Sequence, residues 1–580
     1  MKQRLGVIVG ILAAFLVGAF AVTATASAAD AGAVKLQKQV KKAKKKSKAT
    51  CKKVKKAKGK KAKKKAKKRC AKSKKNVKKA QKKLTTYNKA QYFDVCQHGC
   101  KYRTVQNGSD AAGKWQLKTK RKATVRVQPG TYVEGVFLDG RNPSYDYDGL
   151  TIMGVTKAKK PAKDASQVIL EGQNAKTIVD GTPQVANNAI EGRSIVGLKM
   201  ENMYARHYQN NTFFVWADPA ASLPGGGKER CADYTMNNLM SSDTRSYGFF
   251  ARNCFGGTIE NSDGWNHGDS AVYIGQTPCD SPDWTNHGAN PAPCQAHPDW
   301  TVINNVKSHQ NVLGYSGTNS KYVEIENSSF YNNGAGIVPN TLDSEKFEPN
   351  GWTKIHDNNI FWNNYNYFST GSEFKTVSDG LGKVLGQTVN YPMGAGVVLF
   401  GSDGIDVYDN NIFGNEKWGA MTFSAPVVGD SVVANEGDDA KNLNNSFRNN
   451  KMGRNGLDPN GTDFLNDATG GGNCFSGNTG SPAVTYVLGN GSVPQATLYP
   501  ACPVNKVTND SVPSYNFEAG IQYNLDNDLD PDTILGYVAA DPPKTQECSW
   551  TKGTPHAAFT DASGYSYTEK RADPVTCPTE

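Results

Sequence analysis

The sequence predicts an all-β chain wound as a parallel β-helix, carried behind a lysine-rich N-terminal arm. Two observations predict the coil. An Asn column recurs along the chain with a second polar column five residues on: Asn238/Asp243, Asn261/Asn266, Asn305/Gln310, Asn327/Asn332, Asn358/Asn363, Asn410/Asn415 and Asn450/Asn455. Short alternating strands precede the first column ("GTIEN", "TVINN", "VEIEN"), and a Gly with a second apolar strand often follows ("GIVPN", "GAMTF"). A third observation sets the arm apart: residues 35 to 83 hold 27 Lys and Arg69 without one acid.

The first element is an export signal. Lys2 and Arg4 precede an apolar run over residues 5 to 22, and Ala26-Ser27-Ala28 matches a small-residue cleavage pattern. An uncleaved anchor is the alternative, since the run is near the ~20 residues that span a bilayer. Residues 1–28 are therefore read as a signal peptide and the protein as secreted or associated with the cell surface. Twelve cysteines agree with export, in sequence-neighbouring couples: Cys51/Cys70, Cys96/Cys100, Cys231/Cys254, Cys279/Cys294, Cys474/Cys502 and Cys548/Cys577. An even count in an exported chain reads as disulfides, with local pairing the simplest connectivity. Zinc is disfavoured, because no C-x-x-C occurs.

The arm, residues 29–88, follows. Its non-lysine positions Leu36, Val40, Ala43, Ser47, Cys51, Val54 and Ala57 recur at steps of three and four, as do Ala62, Ala66, Cys70, Ser73, Val77, Ala80 and Leu84. That is a narrow helical seam. Folding back near Gly59 sets the two lists face to face and predicts a helical hairpin clipped by Cys51–Cys70. The competing expectation is a disordered polycationic tail, because like charges at i,i+4 weaken a helix. Either form attracts anionic polymers without reading a sequence. Residues 84–580 carry 38 basic against 52 acidic side chains, a net charge of −14, so arm and body are separate electrostatic problems.

The repeats occupy residues 89–470. Copies stand 23 residues apart from 238 to 261 and 22 apart from 305 to 327, with longer gaps of 44, 31, 52 and 40 that imply extra turns or inserted loops. A period near 22 with Asn and Gly turns is the mark of a β-solenoid, whose turns stack at about 4.8 Å. Asn tolerates the left-handed corner, and stacked amides bond to the copies above and below. Residues 471–580 lose the pattern and read as a C-terminal cap and extension, since open solenoid ends need covering. The N-terminal end is expected to be covered by the segment around Tyr92 to Cys100.

These repeats resemble right-handed parallel β-helix proteins of the pectate-lyase-like superfamily over about residues 100 to 460. The carriers are "VRVQPGTYVEGV", "LTIMG" (150–154), "VILEG" (168–172) and "DSAVYIGQTP" (269–278). The resemblance implies a right-handed coil and, for its enzymes, action on long glycans by Ca²⁺-assisted proton abstraction or by paired carboxylates. No complete catalytic set of that superfamily is present. The Arg-x-Pro-x-x-Arg of pectate lyases and the Asp-Pro-His-Asp of alginate epimerases are absent, and Asp438-Asp439 stands alone in "NEGDDAKN".

Position supplies the remaining candidates. His207, Asp243, His267 and His309 lie near the same bend of neighbouring turns, with Arg206, Arg245 and Asp269 close by and Tyr273 expected to project outward. His207, Asp243, Arg245, His267, Asp269 and Tyr273 are the catalytic candidates. Arg206, Trp284, Trp300 and His309 are the substrate-binding ones, with Trp284 and Trp300 in an insertion (277–300) that interrupts the repeat. Trp216, Trp265 and Trp352 are weaker candidates. The bland alternative for all of them is turn and packing residues. Asp526, Asp528 and Asp530, with Asp532, alternate like the start of a calcium loop, but Pro531 stands where an EF-hand needs Gly, which leaves only a looser Ca²⁺ site. The functional expectation is a monomeric, exported protein that binds, and cleaves or epimerises, an acidic extracellular polysaccharide. The alternative is a non-catalytic adhesin or structural rod held by its arm.

Overall fold

The computed structural model describes residues 31–87, 91–179, 181–218, 220–224, 226–278, 299–342, 345–367, 393–423, 441–466, 470–479, 499–504 and 555–571. Two compact units divide at Ala90.

In the first unit, α1 (Ala31–Lys56) and α2 (Lys60–Tyr87) run back on each other through Gly59, whose φ of +85° suits a residue without Cβ. The Cys51–Cys70 disulfide joins them. Val40 and Ser47 are buried, and Ala43, Cys51, Val54, Ala66, Cys70, Ser73, Val77 and Ala80 are half-buried, so the small and apolar positions share one seam. The lysines between them face solvent.

The second unit is a right-handed parallel β-helix of three strands per turn. One turn shows the design: Val323–Glu326, Ser329–Tyr331 and Ala335–Asn340, with bends at Asn327 and Asn332. The first strand pairs in parallel with Thr301–Asn304 of the turn before and Lys354–His356 of the turn after. The second pairs with Lys307–His309 and Asn359–Phe361, and the third with Leu313–Thr318 and Ala395–Phe400. Ten strands build the third sheet, from Val136–Asp139 to Thr462–Asn466. Alternate side chains point inward and form one continuous apolar core from Phe93 to Tyr499.

The long gaps between Asn copies are single turns with insertions, not extra turns. Asn305 Nδ2 donates to Asn261 Oδ1 at 2.8 Å across a gap of 44 residues, and Asn358 Nδ2 to Asn410 Oδ1 at 3.1 Å across one of 52.

The Asn column divides into two. Asn238, Asn261, Asn305 and Asn327 adopt left-handed φ between 49° and 53° at the corner itself. Later turns place Asp357, Asp409 and Asn449 there, while Asn358, Asn410 and Asn450 are the next residue, turned inward and fully buried. The second bend repeats the division: Asp243, Asn266, Gln310, Asn332 and Trp362 are left-handed, and Asn311, Asn333, Asn363, Asn415 and Asn460 form the buried rungs. A corner needs a tolerant backbone and the interior needs an amide, and neighbouring residues serve the two needs.

Both ends of the core are covered. At the start, Gln91–Val95 is itself a strand paired to Ala123–Val127, and the cover is a helix, α3 (Val105–Thr119), packed so closely that a Cβ on Gly108 would meet Val95 Cγ2 at 2.5 Å. The segment Tyr92–Cys100 is therefore the first rung and its exit, not the lid. Thr104 caps α3, and the buried Glu134 carboxylate accepts from the backbone amides of Val105 and Gln106 at 2.7 and 3.1 Å, completing the helix N-terminus. At the far end, Tyr499 sits edge-on to Phe475 with ring centres 5.0 Å apart, and its hydroxyl reaches the Phe464 carbonyl. The segment 555–571 lies along the side of the coil and does not cap it.

Cys96–Cys100, Cys231–Cys254 and Cys474–Cys502 also form the neighbouring pairs. The couples Cys279/Cys294 and Cys548/Cys577 lie outside the described residues. Among the described residues no helix is long and apolar enough to cross a membrane. Four disulfides fit an oxidising, extracellular setting.

Candidate functional site

The outward position of the second sheet runs in strict register from turn to turn: Glu171, Arg206, Ser242, Trp265, His309, Tyr331, Phe361 and Phe413. Around its first members the structure draws together Arg206, His207 and Asp243 with Glu171. Arg206 Nε donates to Glu171 Oε2 at 2.9 Å, and His207 Nδ1 lies 2.8 Å from Glu171 Oε1. His207 Nε2 faces Asp243 Oδ2 across 3.9 Å, a contact beyond hydrogen-bond length. Asp243 Oδ1 accepts from Asn266 Nδ2 at 3.1 Å, and the Ser242 hydroxyl donates to Oδ2. Tyr204 Oη meets Ser242 Oγ at 2.7 Å.

The backbone explains the convergence. His207 and Asp243 both take the left-handed corner, with φ of 61° and 55°, so their side chains leave successive turns at the same bend. Burial raises the Glu171 carboxyl, but the His207 ring, the Gln173 amide and Arg206 more than offset it and hold the group below the usual carboxylate range. Glu171 is thus an anion that orients a half-exposed imidazole. A carboxylate on Nδ1–H leaves Nε2 as the proton acceptor of the neutral ring.

The other candidates sit elsewhere. His267 is not at the surface: it is fully buried, with Nδ1 2.7 Å from Thr244 Oγ1 and Nε2 3.1 Å from Ser241 Oγ. Its backbone amide donates to Asn311 Oδ1 at 2.9 Å, so it occupies the rung where later turns place Asn. Burial pushes its pKa down to about 3. Tyr273 does not reach solvent. It is stacked on Tyr247, and burial first, then Glu345 and Tyr247, holds its hydroxyl well above the usual tyrosine range. Asp269 is buried at the start of the third sheet, where its carbonyl accepts from Leu313. Arg245 is exposed just past the corner.

His309 is held by Asp263 Oδ1 at 3.2 Å and stacked between Trp265 and Tyr331, at 5.8 and 4.9 Å. Rings stacked along the coil axis turn their edges outward, so Trp265 and His309 offer a sugar their rims and polar atoms and not their faces. Trp300 stands at the bend before the first sheet, edge-on to Tyr322, with Lys354 Nζ 4.3 Å above its ring. Trp284 and the Asp526, Asp528, Asp530 and Asp532 run lie outside the described residues.

Glu171 is the residue that sequence reading missed. The available signal was an acid at an outward strand position in "VILEG", but its pairing with Arg206 comes from a register across 35 residues that only the coil reveals.

No protein-family profile matches the chain, and no curated protein matches it. Among solved structures, the A-module of the Azotobacter vinelandii mannuronan C-5 epimerase AlgE4 is similar at 13% identity, covering 66% of this chain and 96% of its own, with a TM-score of 0.35. A GH136 lacto-N-biosidase from Eubacterium ramulus gives 9% identity, 71% and 66% coverage and a TM-score of 0.38. The catalytic domain of a GH87 alpha-1,3-glucanase in complex with nigerose gives 13%, 67% and 69%, and 0.33. These overlaps are loose, and the fold stands on the strand pairing described above.

Proposed function

We propose that this is an exported protein that takes an acidic polysaccharide along the outer face of its second sheet and works on it by proton transfer at His207. The observation that carries the reading is the half-exposed imidazole held by Glu171, facing Asp243, with Arg206 alongside. His207 Nε2 takes the proton on the carbon next to a uronate carboxylate, and Arg206, which has donors beyond the one given to Glu171, pairs with that carboxylate. Elimination then breaks the neighbouring glycosidic C–O bond and the leaving oxygen collects a proton. Epimerisation returns a proton to the opposite face of the same carbon. These protons come from the His207 imidazolium or from water, and Asp243 faces the imidazolium as the anion that stabilises it. Ca²⁺, which would neutralise a uronate carboxylate, is an addition to test.

The arm serves as the anchor. Two helices of 26 and 28 residues carry nearly all of the 28 basic side chains of residues 35–83. Over a rod of about 40 Å this is one cation per ~1.5 Å, close to the one anion per ~1.7 Å of duplex DNA. Such a rod binds anionic polymers by releasing counterions, and salt weakens that binding steeply.

The test incubates the full chain, monomeric by light scattering, with uronic-acid and neutral polysaccharides, with and without Ca²⁺, following unsaturated ends, reducing ends and sugar configuration. His207→Ala and Glu171→Gln are expected to lower the rate by about 10²-fold or more with folding unchanged. Binding without turnover in the unmodified chain sinks the catalytic reading and leaves a binding rod. Binding that salt abolishes and that a chain lacking residues 31–87 loses assigns the whole affinity to the arm.

A further inference from the structure

The outward column of the second sheet is continuous in register but not in environment. Glu171, Arg206, Trp265 and His309 are half-buried, with the small Ser242 buried among them, whereas Tyr331, Phe361 and Phe413 are all covered. The cover is the segment 555–571. Tyr567 stands edge-on to Tyr331 and Phe361, with centroids 4.8 and 5.2 Å away at 78° and 86°. Phe559 stands edge-on to Phe361 and Phe413, at 5.2 and 5.0 Å. Ring edges meeting ring faces is the favourable aromatic geometry.

Polar contacts fix this strap at both ends. Asn332 Nδ2 donates to the Thr568 carbonyl at 2.9 Å, the Lys570 amide donates to Asn332 Oδ1 at 3.0 Å, and Tyr567 Oη lies 3.1 Å from Ser329 Oγ. His556 is ion-paired with Asp458 and lies 3.4 Å from Glu416, and Arg571 pairs with Glu416 at 2.5 Å and Glu569 at 3.0 Å. Ligand atoms of Glu416, His556 and Glu569 lie within 4.8 Å of one another, but the Arg571 guanidinium already spans both glutamates. With Arg454 3.6 Å from Asp458, three cations face three anions. This is a charge-balanced latch.

We propose that the strap closes one end of the groove, so that the site takes the last few sugars of an acidic chain and not its middle. This rests on the polysaccharide reading above. At the turn of the strap, Tyr565 is 44% exposed with Lys307 Nζ 3.2 Å from its ring centre, and Lys307 lies on the strand of His309. Tyr565 and Lys307 therefore form a wall beside the last open rung, with a cation on it suited to a terminal carboxylate. At the opposite end the column runs out past Tyr132, paired with Leu170, to Val133, which is 54% exposed and uncovered. Five rungs from Glu171 to His309 span about 19 Å, with Ser242 buried at the middle one and half-buried side chains at the other four, enough for a short oligomer.

The experiment measures Kd for uronic-acid oligomers of graded length, at a salt concentration that suppresses binding by the arm, on the full chain and on two variants. Tyr565→Ala removes the wall from an exposed position, and His556→Ala with Tyr567→Ala releases the strap. In the unmodified chain Kd is expected to fall with length up to about five sugars and then stay flat, because longer oligomers gain no further rungs. In the double variant it is expected to go on falling, by about threefold or more for the longest oligomers, whereas Tyr565→Ala, which leaves Tyr567 and Phe559 over the next rungs, is expected to shift the plateau by no more than one sugar. Proteolysis within 555–571 confirms release in the double variant. If Kd keeps falling with length in the unmodified chain, or if the double variant keeps the same plateau, the end-wall proposal is overturned while oligomer binding still supports the polysaccharide reading. If no oligomer binds any of the three proteins, the polysaccharide reading fails and takes the end wall with it.

Discussion

The two halves of the coil use one plan and differ in how faithfully they keep it. From Asn311 onward the inner rungs of the second bend are all Asn, each amide bonding to the next through Asn333, Asn363, Asn415 and Asn460. From Tyr331 onward the outward column beside them is a stack of rings under the strap. In the earlier turns Thr244 and His267 replace the rung Asn, Ser241 and Gly264 line the interior beside them, and the outward column is Glu171, Arg206, Ser242 and Trp265. On the second sheet the regular half is covered by the strap. The open titratable groups of that face lie toward the irregular half. Local departure from a solenoid's own consensus therefore marks where to look for chemistry better than the consensus does.

The largest expected effect breaks the regular half. Asn363→Leu keeps the volume but removes four bonding partners: the Asn333 amide and side chain, the Phe330 carbonyl and Asn415 Oδ1. Each group left buried and unpaired costs roughly 1–3 kcal/mol, so denaturant titration should show a loss of about 3–5 kcal/mol. A loss under about 1 kcal/mol would show that the ladder is ornamental.

His267→Asn runs the comparison the other way by restoring the rung consensus in the irregular half. A histidine held neutral with its folded pKa near 3 loses stability as pH falls below its unfolded value of 6.5, because unfolding then takes up a proton. Between pH 7 and pH 4 the unmodified chain should lose about 3 kcal/mol that the Asn variant keeps. Turnover should be unaffected. If His267→Asn abolishes turnover and leaves acid stability unchanged, His267 serves chemistry and not the ladder.

That contrast also explains how much was legible in the sequence. The fold was, because many copies of Asn-turn-strand reinforce one reading, and the seam Val40, Ala43, Ser47, Cys51 made the hairpin legible too. The one-residue offset between corner and rung was not: the late pairs Asp357-Asn358 and Asp409-Asn410 fill both roles, and an Asn looks alike in either. His267 was misplaced for the same reason, since a rung residue and a surface residue at a bend are neighbours in sequence. Glu171 was missed because its partners lie in other turns, and α3 because Gly108 and Gly113 lower helix propensity where tight packing on the first rungs demands them.

The strap separates the halves electrostatically. Burial lowers the His556 pKa, but Asp458 and Glu416 more than offset this and lift it to about 9. A raised folded pKa means that the stabilisation is complete below pH 6.5 and lost as pH rises through about 9. Half-burial tempers the size to about 2 kcal/mol. Amide exchange of residues 555–571 should therefore quicken between pH 7 and pH 10 beyond the intrinsic rate, while the Asn363 rung stays protected. His556→Gln should remove that extra pH dependence.

The smallest expected effect lies on the exposed corners. Asn305 Nδ2 bonds to Asn261 Oδ1 at 2.8 Å much as the buried rungs do, yet both residues are open to water. Water replaces the lost bond, so Asn305→Ala forfeits only the tolerance of Asn for a φ of 53°. Asn305→Gly keeps that tolerance and discards the amide. The Ala variant should cost about 1 kcal/mol and the Gly variant a few tenths. Equal costs would mean that the exposed amide ladder itself holds the corner, and would make the two columns alike in energy as well as in sequence.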